Sequence, residues 1–67
     1  MILILTRNSP TADSVLTIDR EFKKWKRETK YKSGRERFRD GVYPKFKDFF
    51  LKQIRNGYVL IEGTIDE

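Results

Sequence analysis

The sequence predicts a small single α+β domain: two or three short strands over residues 2–6, 58–65 and, on one of two readings, 14–18, covered by two amphipathic helices at about 20–31 and 44–56. Three observations predict it. Two apolar, β-branched-rich runs stand near the ends of the chain, and two stretches of charged and aromatic residues repeat at helical spacing between them. The 67 residues are enough for one modest core and for a single domain.

Ile2-Leu3-Ile4-Leu5-Thr6 reads as a strand that is apolar at both alternate positions, ended by Arg7-Asn8-Ser9-Pro10. Residues 10–18 read two ways. Ser9-Pro10 suits a helix N-terminus, with Val15, Ile18, Phe22 and Trp25 following at helical spacing to about residue 30. Alternatively, Ser14-Val15-Leu16-Thr17-Ile18 forms a second strand paired with the first, and Asp19 caps a helix that begins at Arg20. The β-branched residues tilt the balance slightly toward this hairpin.

Residues 20–31 are helical on both readings. At about 100° per residue, Phe22, Trp25 and Thr29 share one face. Arg20, Lys23, Lys24, Lys26, Arg27 and Lys30 spread over an arc of about 160° on the other side, the pattern of an amphipathic helix with a basic outer face. Trp25 is expected in the core. Lys32-Ser33-Gly34 breaks the helix, and residues 35–41 follow as a basic connection. Pro44 starts the second helix, with Tyr43, Phe46, Phe50 and Ile54 along one face and Phe49 at its flank, and Asn56-Gly57 ends it. Tyr58, read as a rim residue, opens the last strand.

The chain contains no cysteine and no histidine. Disulfides, Cys/His zinc sites, and Ser-His-Asp or Cys-His catalysis are thereby excluded. The apolar opening, Met1-Ile2-Leu3-Ile4-Leu5, is too short for a signal peptide or a membrane span. A cytoplasmic protein without membrane contact is expected. Asp19 with Glu28-Thr29-Lys30 matches in outline the acidic set of metal-dependent nucleases, but the pattern places the triplet on a helix rather than a strand. Glu21-Phe22-Lys23 repeats the same triplet, as a Lys/Glu-rich chain readily does. Gly34, Gly41, Gly57 and Gly63 are isolated and form no phosphate-binding loop. The expectation is a non-enzymatic protein with no cofactor and no metal.

Charge is the most informative feature. The net formal charge is +5, yet residues 20–39 hold ten Lys/Arg and three Glu, a local +7, while residues 58–67 hold three carboxylates and no cation. A basic segment of this density suits a polyanion, because Lys and Arg neutralise phosphates and release counterions. Arg20, Lys23, Lys24, Arg27 and Lys30 are the expected phosphate contacts, and Arg35, Arg37 and Arg39 complete the patch. Tyr31 and Phe38 interleave with them as stacking surfaces for unpaired bases. The expected partner is nucleic acid, RNA or DNA. The alternative is a small phage- or mobile-element-type protein that modulates a host protein by docking the basic face on an acidic surface. Pairing of two copies through an exposed strand edge is a further expectation, since edges as apolar as these need cover.

Two short resemblances bear on this. Leu3-Ile4-Leu5-Thr6-Arg7, continued loosely by Leu16-Thr17-Ile18, resembles the opening strand of the carbon storage regulator family of RNA-binding proteins. The resemblance implies Arg7 as an RNA contact and covers only those residues. Phe22-x-x-Trp25-Lys26-x-Glu28-Thr29, with Ser33, resembles a pattern in small uncharacterised phage and mobile-element proteins, which implies a prokaryotic or phage setting.

Overall fold

A computed structural model describes residues 1–64. Five strands and one helix follow in the order β1 (Ile2–Asn8), β2 (Ala12–Asp19), β3 (Lys24–Tyr31), β4 (Glu36–Val42), α1 (Phe46–Arg55) and β5 (Val59–Glu62). The strands form a single sheet in the order β4-β3-β2-β1-β5, with every neighbouring pair antiparallel. The first four strands are a meander. The chain then crosses one face as α1 and adds β5 beside β1.

This architecture overturns the two-helix expectation. The segment expected to be the first helix, 20–31, is a turn at 20–23 followed by β3, and the basic connection at 35–41 is largely β4. Glu28-Thr29-Lys30, expected on a helix, therefore lies on a strand, but Glu28 stands opposite Val15 and Phe38, well along β3 from Asp19, and no metal-holding cluster of acidic residues occurs among the described residues. Lys, Arg and Glu favour helix on their own, but that preference is a weak prior that pairing overrides. β3 is in register with β2 from Asp19↔Lys24 to Ala12↔Tyr31 and with β4 from Lys24↔Val42 to Lys30↔Glu36. The β2–β3 turn is built by Asp19, whose Oδ1 accepts the N–H groups of Glu21 (3.0 Å) and Phe22 (3.3 Å). Phe22, expected on the core face, sits in that turn and is exposed. Residues 10–18 follow the hairpin reading, with β2 beginning at Ala12. The final strand ends at Glu62, and residue 65, where it was expected to end, lies outside the described residues.

The core lies between α1 and the sheet face toward it, called here the inner face. Leu3, Leu5, Leu16 and Ile18 are fully buried, joined by Tyr43 and Tyr58, with Trp25, Phe46, Phe49, Phe50 and Leu60 packed against them. Tyr58 is therefore core, not rim. Phe49 stacks on both Tyr43 (5.0 Å between ring centroids) and Trp25 (6.0 Å), so it belongs to the packing face rather than its flank. Ile54 is exposed, and Gln53 takes the buried position on that turn of α1. Gly41 is the β4 residue opposite Trp25, and a Cβ there would sit 2.8–2.9 Å from the indole. The helix closes at Gly57, whose φ of +98° is open to glycine and strained for other residues.

The helix covers only part of the inner face. Phe46 lies under the Arg20 guanidinium, Gln53 reaches Arg27, and the Asn56 carbonyl meets Arg7. Beyond Arg7 and Arg27 the inner face is open. Among the described residues no helix is long and apolar enough to cross a membrane.

Candidate nucleic-acid interface

Side chains alternate between faces along a strand, so register decides which of the basic residues meet. Trp25, Arg27, Thr29 and Tyr31 of β3 share the inner face, and the register places Gly41, Arg39 and Arg37 of β4 beside the first three. On β2 the same face carries Ser14 and Ala12, opposite Thr29 and Tyr31. Arg7 of β1 stands opposite Ser14.

Past the end of α1 these residues enclose a polar groove of about 310 Å³. Arg7, Arg27, Arg37 and Arg39 line it, together with Ser9, Thr11, Ser14, Thr29 and Tyr31, and its lining contains no carboxylate. Arg35 lies in an adjoining recess that shares Tyr31 and Arg37 with the groove.

Two of the guanidinium groups have partners within the domain. The Arg7 Nη1 donates to the Asn56 carbonyl (3.1 Å), and its guanidinium lies 5.0 Å from the centroid of the Tyr58 ring. The Arg27 Nη2 donates to the Gln53 Oε1 (3.0 Å), and its guanidinium lies 5.4 Å from the centroids of both Trp25 and Tyr58. The buried Ser14 hydroxyl and the Thr29 hydroxyl are hydrogen-bonded to each other at 3.1 Å. Two buried polar atoms, Arg27 Nε and the Tyr58 hydroxyl, have no hydrogen-bond partner among the described residues. An unmet buried donor of this kind costs about 1–3 kcal/mol. Arg39 stands directly across from Arg27, and like charges in that position repel.

The other expected contacts are placed elsewhere. Lys24 and Lys30 point to the outer face, where Lys24 stands opposite Asp19 and Lys30 opposite both Asp13 and Glu36. Lys26 stands opposite Asp40 on the same face. Phe38 is also on the outer face, opposite Glu28, and is largely exposed. Arg20 and Lys23 are in the β2–β3 turn, at the far end of β3 from the groove. Arg20 covers Phe46 at 3.9 Å, and Lys23 has a φ of +55°. The expected patch is thus divided. Arg27, Tyr31, Arg37 and Arg39 come together with Arg35 beside them, whereas Arg20, Lys23, Lys24, Lys30 and Phe38 do not join them.

Ser14, Thr29 and Gln53 gave no functional signal in the sequence, and Arg7 was marked only by its resemblance. Period-two alternation was the available signal, since Arg27, Arg35, Arg37 and Arg39 occupy odd positions while Lys24, Lys26 and Lys30 occupy even ones.

At the opposite end of the inner face, the Tyr43 hydroxyl donates to the Asp19 carbonyl at 3.4 Å. Burial pushes the Tyr43 phenol above its usual range; nearby Arg20 opposes the shift and Asp19 adds to it. No protein-family model, curated protein or solved structure matches this chain.

Proposed function

We propose that this protein binds nucleic acid, without catalysis, through the arginine groove of the inner face. One observation carries the reading: four arginines and the hydroxyl-bearing residues Ser9, Thr11, Ser14, Thr29 and Tyr31 line one groove whose lining holds no carboxylate. Phosphate diesters match this chemistry, because each guanidinium offers paired N–H donors to phosphate oxygens. Tyr31 at the groove's edge provides a ring on which an unpaired base can stack. A cytoplasmic, regulatory role accompanies this reading.

The test is fluorescence anisotropy with labelled single-stranded RNA, single-stranded DNA and duplexes at several salt concentrations. If all four groove arginines meet phosphates of a single strand, log K falls with log salt at a slope near −3, from about −0.7 per phosphate. Absence of binding to any nucleic acid at low salt overturns the proposal. Capture of one stoichiometric protein partner, insensitive to nuclease, would transfer the groove to the alternative in which it docks an acidic protein surface. β4 and β5 are the two edges of the sheet. Pairing of two copies through either edge belongs to the same proposal, and sedimentation at high protein concentration tests it.

A further inference from the structure

We infer that the floor of the groove is a seat for one phosphate group, centred on Arg27, rather than a diffuse basic surface. The inference rests on the nucleic-acid reading of the same groove and names the chemical group that the groove selects.

Arg27 cannot swing freely. Gln53, itself buried, holds its Nη2, and the Trp25 and Tyr58 rings flank its guanidinium. Its Nε is buried and has no partner among the described residues, and the buried hydroxyl of Tyr58 has none either. Both unmet atoms belong to residues in contact with each other, and one of the two, Arg27, lines the groove. Nε itself is closed to solvent, so an oxyanion on the floor meets Arg27 through the guanidinium N–H groups that Gln53 does not hold.

The neighbouring hydroxyls fit the same ligand. In the Ser14–Thr29 pair one hydroxyl donates to the other, which leaves the second hydroxyl's hydrogen free for an acceptor in the groove. Arg39 across from Arg27, and Arg37 across from Thr29, bring two further guanidinium groups to the rim. A charge of this density around so small a floor repels itself, and an anion between Arg27 and Arg39 relieves the repulsion. Several donors converging from separate strands suit the tetrahedral oxygens of phosphate better than a planar carboxylate. The volume of about 310 Å³ leaves room for the sugar or base attached to it. The phosphate belongs either to a polynucleotide backbone or to a free phosphate compound.

The experiment follows the arginine side-chain Nε–H signals of ¹⁵N-labelled protein by NMR. Inorganic phosphate is added first, and then, separately, a hexanucleotide without terminal phosphates. The Arg27 Nε–H signal is expected to move and to saturate with both. Arg27→Lys keeps the charge and removes the guanidinium, and should weaken hexanucleotide binding at least about tenfold. Because Arg27 also steadies α1 through Gln53, Thr29→Val serves as a second variant that leaves the helix contact intact; it should weaken phosphate binding about fivefold. Lys26→Ala, on the outer face, should change neither by more than about twofold.

An Arg27 signal unmoved by either ligand overturns the seat. Hexanucleotide binding with full salt dependence but equal affinity in wild type, Arg27→Lys and Thr29→Val also overturns it, and leaves the nucleic-acid reading standing. Saturable movement with inorganic phosphate but no hexanucleotide binding supports the seat, assigns it to a free phosphate compound, and overturns the nucleic-acid reading.

Discussion

Along β3, Arg27 and Thr29 face the helix side while Lys26, Glu28 and Lys30, interleaved with them, face away. The surroundings of these two sets differ completely. The inner face gathers Arg7, Arg27, Arg37 and Arg39 around hydroxyls, with no carboxylate in the groove lining. The outer face sets Lys24 against Asp19, Lys26 against Asp40, and Lys30 against Asp13 and Glu36. One face concentrates positive charge on a shaped, partly anchored floor, and the other disperses it among opposite charges in solvent. Net charge along the chain therefore overstates the basic surface, because half of the basic residues in β3 and β4 are balanced across the strands. What distinguishes the groove is the lack of acidic neighbours, together with the contacts that two of its guanidinium groups make with the end of α1 and Tyr58.

The contrast is sharpest within β2. Leu16 is fully buried on the inner face, and Val15 next to it is exposed on the outer. Leu16→Ala should destabilise the domain by about 3 kcal/mol, a large share of what so short a chain can hold. Val15→Ala should stay within about 0.5 kcal/mol. Urea denaturation checks both, and equal effects would break the distinction between the faces.

For binding, the double variant Arg37→Ala/Arg39→Ala should weaken single-stranded nucleic acid by about 2 kcal/mol, some thirtyfold, and flatten the salt slope by about 1.4. Lys26→Ala/Lys30→Ala should leave affinity within about threefold, since those lysines already face carboxylates. Anisotropy titrations at two salt concentrations compare the pair, and a larger loss from the lysine variant would move the interface to the outer face.

Gly41→Ala probes the boundary between the apolar and arginine-rich parts of the inner face. Its Cβ would fall within 2.9 Å of the Trp25 indole, so the ring must shift. A loss of about 1–2 kcal/mol is expected, with a change in tryptophan fluorescence. An unchanged emission spectrum would show that Trp25 is not held against β4.

The smallest effect concerns pH. The buried Tyr43 phenol has a pKa raised above the ordinary 10.0, so the folded state holds the proton more tightly than the unfolded chain. Its contribution to stability is complete below about pH 10 and is lost as pH rises through the folded value. Tyr43→Phe should remove that part of the alkaline decline in melting temperature, and an identical decline in both proteins would refute the assignment.

Much of this was legible in residues whose local and tertiary preferences agree. Ile2 to Thr6 read as a strand because the run is β-branched and apolar, and Phe46 and Phe50 read as a packing stripe because their spacing is helical. Residues 20–31 misled because Lys, Arg and Glu favour helix and because Phe22, Trp25 and Thr29 also fit a helical face. The strand is imposed by β2 and β4 on either side of it, information that no local window contains. The candidate site was half legible for the same reason. Density of charge located Arg27, Arg37 and Arg39, but only register could separate them from Lys24 and Lys30. Ser14 and Thr29 acquire meaning only where two strands bring their hydroxyls together.

The alternation of faces also makes the arginine surface a message written in phase. On β4 the odd positions spell Arg37 and Arg39, and the even ones spell Glu36, Phe38 and Asp40. A one-residue slip of β4 against β3 would turn the even set inward and replace two cations at the groove with carboxylates and a phenyl ring. No residue type need change for this to happen; loss or gain of one residue in the turn around Lys32-Ser33-Gly34 is enough. The groove therefore depends on the length of that turn as a message depends on its reading frame.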